Sequence, residues 1–332
     1  SSSTYLAYYS NLNVAVLNRY GTNNIAGIEP YNEPNDMAPS LPCVQNSAAS
    51  MADLMAKMNA IVREVWGNTP ILAPAMSNPQ SQNETAQAAS NTVAGIIRST
   101  HDYERNQRAP ETSSGTDSNI WLNIDWGMAR WSNTVTTVSE LGMYGMSALG
   151  STNYGSGYLT STLNWRDGLC RSLRTVIMYW TRGSTVYPQI ALANGEYQLA
   201  GWERVNTAGD TLAGPRPWMT AITQLAAVLN GYSPYARTNA GTAWSTTWTN
   251  AANSLTVVWS AEGKTNTLSG SGWTDIWGNT VTGNVYDEPV FKVVAGVVVP
   301  PPPPPPPPPQ PNPGCANPIL VNINTASLTQ LQ

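Results

Sequence analysis

Apolar residues fall near a 3.6-residue period from residue 4 to 20, at Leu6, Tyr9, Leu12, Val16 and Tyr20. Gly21 then supplies a helix stop. A second stripe at 47–66 (Met51, Leu54, Met55, Met58, Ile61, Val62, Val65) predicts a helix whose methionines fill a core. Weaker helical patterns lie at 84–92, at 117–131 through Ile120, Ile124, Met128 and Trp131, and at 158–172 and 216–229. Between them, short β-branched or apolar runs predict strands at 24–31, 71–74, 93–100, 134–140 and 175–180. Strand alternating with helix implies parallel strands joined by right-handed crossovers, an α/β class. From residue 231 the pattern changes. Short β-rich runs (Trp244–Trp248, Leu255–Trp259, Thr265–Leu268, Val290–Val294) are separated by Gly and Asn turns, which predicts a small antiparallel β-sandwich module.

Two of the strand ends carry carboxylates. Gly27-Ile28-Glu29-Pro30-Tyr31-Asn32-Glu33-Pro34-Asn35 closes an apolar run, and Pro34, lacking an N–H, stops a sheet ladder there. Thr134-Val135-Thr136-Thr137-Val138-Ser139-Glu140-Leu141-Gly142 is a β-branched run that also ends in a glutamate. Parallel α/β barrels hold their chemistry at the C-terminal ends of their strands. A retaining glycosidase needs two carboxyls there. One protonates the leaving oxygen and the other attacks the anomeric carbon from about 5–5.5 Å away. Glu33 is the expected acid/base, and Glu140 the expected nucleophile.

These residues resemble clan A of the glycoside hydrolases, whose fourth strand ends in Asn-Glu-Pro and whose seventh ends in the nucleophile. Within the clan the likeness is to family 30, through Tyr5-Leu6-Ala7 followed by Pro30-Tyr31-Asn32-Glu33-Pro34. The resemblance implies a partial (β/α)8 TIM barrel, strands four to eight, with the first three strand–helix units expected upstream of Ser1. It also implies roles. Asn32 would bond the sugar 2-OH and the nucleophile. His101 and Tyr103, in a His-Asp-Tyr run at the end of the third predicted strand, would contact a subsite. Trp180, ending the last predicted strand, would stack beneath the reacting sugar. Tyr144, just after the nucleophile, is a further pocket candidate.

Composition narrows the partners. Charged residues make up 11% of the chain, the net charge is −4, and the chain has 13 Trp, 15 Tyr and one Phe. The acidic balance argues against nucleic acid. The aromatics suit sugar faces, but suit a core better. Cys43, Cys170 and Cys315 have no metal-ligand spacing, and no cofactor or metal is expected. Cys43 and Cys170 are either a disulfide or two buried thiols. No apolar run reaches the ~20 residues that span a membrane. Pro300–Pro309 is an unbroken proline run, about 31 Å of polyproline II acting as a stiff spacer.

The expected organisation is a partial catalytic barrel at 1–230, the β-sandwich module at 231–298, a polyproline linker at 299–314, and a further module or disordered tail at 315–332. The module reads as support for the barrel, with sugar binding as the alternative. Val321–Ser327 with Leu328 and Leu331 is similar to the opening of a helix-hairpin-helix repeat, too briefly to make DNA a partner. The expected function is a secreted or cell-wall, monomeric retaining hydrolase of a β-linked polysaccharide such as a β-1,6-galactan or a xylan. The alternative is a non-catalytic glycan-binding wall or matrix protein on a degenerate barrel.

Overall fold

A computed structural model describes residues 2–22, 25, 27–34, 48–75, 81–90, 92–103, 109–111, 120–131, 136–142, 165–188, 203–205, 212–215 and 217–296. The chain divides into two compact units. One draws on Ser1–Thr100 and Gly127–Thr134, the other on His101–Trp126 and Val135–Pro304.

The first unit holds α1 (Ser2–Tyr20), α2 (Ala48–Trp66), β1 (Ile71–Leu72), α3 (Ser81–Ala89) and most of β2 (Ile96–Tyr103). Both long helices lie where the apolar stripes predict them. Helix α2 buries Met55, Met58 and Val62 completely, and Met55 and Met58 pack into core clusters with Ala86 and Leu54 respectively. The main core joins Val62 and Trp66 to Ile71, Ala73, Ile96 and Trp131. The Trp66 indole is satisfied within it, because Trp66 Nε1 donates to Asn13 Oδ1 at 2.9 Å and Asn13 Nδ2 donates to the Tyr9 carbonyl. Strands β1 and β2 run parallel, with Ile71 opposite Ile96. Ile28 bridges Ile71 in the same sense, and among the described residues of the strand expected at 24–31 this is the one parallel bridge. Gly127 is there for close approach, since a Cβ would lie 2.2 Å from the Arg98 guanidinium.

The second unit holds β3 (Thr136–Gly142) and β4 (Thr185–Pro188), paired in parallel, with α5 (Trp165–Trp180) before β4 and α6 (Pro217–Leu229) packed on α5. Helix α4 (Ile120–Arg130) lends it Trp121 and Asp125. A hairpin that the sequence pattern does not signal, β5 (Glu203–Val205) with β6 (Leu212–Pro215), lies between α5 and α6 in the chain.

One correction concerns α5. Residues 175–180 were expected as the last parallel strand, but they are the last turns of this helix. The β-branched run Thr175-Val176-Ile177 favours a strand locally, but tertiary context overrides that preference: it continues a helix that is buried on every side from Leu169 to Tyr179. The strand is β4, some ten residues later, and it ends at Pro188.

Residues 233–295 form eight strands, β7 (Ser233–Ala240), β8 (Ala243–Thr249), β9 (Asn253–Ser260), β10 (Asn266–Thr267), β11 (Trp273–Thr274), β12 (Thr280–Val281), β13 (Asn284–Val285) and β14 (Val290–Ala295). Six make an antiparallel sheet in the order β12-β11-β14-β9-β8-β7, and β10 pairs with β13 separately. Strand β8 alternates strictly between buried and half-buried residues, as a sheet packed on one face must. Trp244 and Trp259 from this sheet and Trp121 from α4 form a cluster with ring centroids 4.5–6.4 Å apart. The aromatic richness therefore serves a core here.

Candidate functional site

The backbone around Glu33 is held from below. The Ile28 N–H donates to the Pro70 carbonyl, the Leu72 N–H to Ile28 and the Ala73 N–H to Ile97, all at 2.8–2.9 Å, so three parallel segments end side by side. Gln87 of α3 ties two of those ends together, its Nε2 donating to the carbonyls of Pro74 at 2.8 Å and Ser99 at 2.7 Å. Beyond this edge the Ala75 N–H donates to Glu29 Oε1 at 3.0 Å, and the Ala75 carbonyl accepts the Glu33 N–H at 3.1 Å. Pro30 and Pro34 are buried, and Tyr31 packs against the Leu54–Met58 cluster.

Within this frame Glu33 has φ 45°, and no other non-glycine residue among those described is left-handed. Such a conformation costs a glutamate about 1–3 kcal/mol, and residues held this way gather at functional sites. Glu33 is half-buried and Asn32 is exposed. Glu29 was not singled out from the sequence. Its signal was a carboxylate four residues before Glu33, separated from it by a proline.

Glu140 lies in β3. Thr137 and Val138 pair with Thr185 and Val186, but Leu141 pairs with Pro188, so Ser139-Glu140 falls in a register irregularity where β3 has one residue too many. Bulges of this kind re-aim a side chain and are frequent beside active sites. The Glu140 side chain is outside the described residues.

The other candidates divide. His101 lies in β2 and is 1% exposed. Tyr103 ends the same strand with its side chain outside the described residues, as is all of Tyr144. Trp180 does not end a strand. It is the half-buried last residue of α5, so the stacking role expected of it loses its structural basis. Cys170 carries a free, buried thiol, not a disulfide. Burial, with Asp287 beside it, pushes that thiol up to about 12, which leaves it inert as a nucleophile. Among the described residues no group of three or more His, Cys, Asp or Glu is placed to hold a metal.

The second unit uses its carboxylates differently. Arg174, fully buried on α5, donates through Nε to Glu111 Oε1 at 2.6 Å, through Nη1 to the Asp287 carbonyl at 2.7 Å and through Nη2 to Glu262 at 3.2 Å. Trp259 Nε1 donates to the same Glu111 oxygen at 2.7 Å. Arg182 and Arg237 both pair with Asp125, and the Arg237 guanidinium lies 5.2 Å over the Trp121 ring. These acids are neutralised by cations and serve the fold.

No family model and no curated protein matches the chain. Solved structures do. A family 39 glycoside hydrolase shares this fold. It comes from the gut symbiont Bacteroides cellulosilyticus WH2 and is 13% identical, with a TM-score of 0.59 over 86% of this chain and 61% of its own. A conserved exported protein from Bacteroides fragilis matches at 11% identity and a TM-score of 0.52, over 86% of this chain and 69% of its own. A family 30 endoxylanase from Clostridium papyrosolvens C71 reaches a TM-score of 0.48 at 12% identity, over 89% and 68% of the respective chains, too low to carry weight. The chain spans less than two thirds of the family 39 protein, and at these identities the likeness shows the fold alone. Among the described residues no helix is long and apolar enough to cross a membrane.

Proposed function

We propose that this chain carries the later strands of a clan A glycoside hydrolase barrel and is part of a retaining enzyme that cleaves a β-linked polysaccharide, such as a xylan or a β-1,6-galactan. The reading rests on the backbone at Glu33, a left-handed glutamate just past the C-terminal edge of parallel strands. Glu33 protonates the glycosidic oxygen as the bond to it breaks. Glu140 attacks the anomeric carbon from the opposite face and forms a glycosyl-enzyme. Glu33 then takes a proton from the water that releases the sugar. The mechanism requires the two carboxyls to flank one sugar ring about 5–5.5 Å apart. Asn32 bonds the 2-OH, a contact that tightens in the transition state. The Pro30–Pro34 motif supports a family 30-like member of the clan. The likeness to an exported protein supports action outside the cell.

The test is hydrolysis of a polysaccharide panel by the full-length protein. Glu140→Gln abolishes product, and Glu33→Gln lowers turnover by about 10²–10⁴-fold, least for substrates whose leaving group needs no proton. Product from Glu140→Gln at the wild-type rate overturns the assignment.

A further inference from the structure

The β-module presents a feature that its packing does not require. Trp277, in the turn joining β11 to β12, is 48% exposed, and among the described residues no other tryptophan is so exposed. The turn under it is rigid. Asp275 Oδ1 accepts the N–H groups of Trp277 and Asn279 at 2.9 and 2.8 Å, and Asp275 Oδ2 accepts Asn279 Nδ2 at 2.8 Å. The Asp275 N–H donates to the Asn279 carbonyl and the Gly278 N–H to the Asp275 carbonyl, with Gly278 at φ 85°. A turn needs these polar residues and the glycine, but it does not need an indole in water.

The ring borders an open groove of about 370 Å³ between this hairpin and α6, within the range of about 300–1,000 Å³ typical of small-ligand clefts. Leu255 and Phe291 form an apolar floor, and Gln224, Thr274 and Asp275 supply polar atoms along the rim. None of the lining residues is basic, which disfavours an anion. Both Asp275 oxygens are engaged in its own turn, which disfavours a cation. An exposed aromatic face on a hydrogen-bonded turn, an apolar floor and the neutral Gln224 and Thr274 side chains suit a ring with one apolar face and a hydroxylated edge.

We propose that Trp277 and this groove bind a neutral glycan chain, with the indole stacked on a pyranose, at a site separate from the proposed chemistry. The inference does not rest on the hydrolase reading. The test uses the full-length Glu140→Gln protein, which binds without turnover, in affinity electrophoresis through gels containing arabinoxylan, β-1,6-galactan or xyloglucan, with polygalacturonate as the charged control. Retardation is expected in at least one neutral gel. It should weaken about tenfold on adding Trp277→Ala and partly recover with Trp277→Tyr, both variants melting as the parent does. Equal retardation of the Trp277→Ala protein overturns the proposal, as does equal retardation by polygalacturonate. If the wild type hydrolyses nothing while Trp277-dependent retardation persists, the catalytic reading falls and this one stands.

Discussion

The β-module and the Glu33 segment solve the same backbone problem in opposite ways. Every described left-handed position from 231 to 296 is a glycine, as at Gly241 in the β7–β8 turn. There the chain only has to reverse, and glycine does so without strain. At position 33 the same conformation is forced on a glutamate, and a buried proline on each side, Tyr31 packing and the Ala75 hydrogen bonds hold it. Glu111 in the second unit is enclosed by Arg174 and Trp259. Ordinary structure uses the residue that fits, so a residue that fits badly and is nonetheless held points to a role in its side chain.

That contrast can be broken by substitution. The largest effect is expected at Arg174, whose removal leaves Glu111 buried without its cation. Arg174→Ala should cost about 3–5 kcal/mol in urea unfolding, and adding Glu111→Gln to Arg174→Met should recover much of the loss. A smaller effect of opposite sign is expected at position 33. Glu33→Gly relieves about 1–3 kcal/mol of strain and forfeits about 0.5–1 to backbone entropy, so stability should rise by up to about 2.5 kcal/mol while hydrolysis is lost. Lower stability with activity retained would make Glu33 a structural residue like Glu111.

The smallest effect is in pH. Burial, opposed by Arg166 and reinforced by Asp275 and Asp287, holds Glu288 above the ordinary carboxylate value of 4.5. A group raised on folding stabilises the fold below 4.5 and loses that contribution as pH rises through its higher folded value. Glu288→Gln should therefore gain in melting temperature relative to wild type between about pH 4 and pH 7. Glu262 runs the other way. Burial raises it, but Arg171 and Arg174 outweigh that and leave it lowered, so its contribution is present above 4.5 and lost as pH falls.

Much of this fold was legible in the chain. The stripes that define α1 and α2 are long and periodic, and the structure keeps them. So is β8, where alternation is strict. The failures lie where local preference and burial disagree. Thr175-Val176-Ile177 reads as strand by side-chain shape, yet it lies in a helix buried on every side, where tertiary context overrides that preference. Trp180 went astray with it. At the site, Asn32-Glu33-Pro34 announced a strand end, but nothing in the residue types announced a left-handed Glu33 or a bulge at Glu140. Both arise from pairings with distant partners, Ala75 and Pro188.

The Trp121–Trp244–Trp259 cluster gives the second unit an optical signature of its own. Indoles 4.5–6.4 Å apart at fixed tilts couple their transitions, and that coupling vanishes once the rings part. Near-ultraviolet circular dichroism thus follows the melting of the region between α4 and the β-sheet as a local thermometer, with no label introduced.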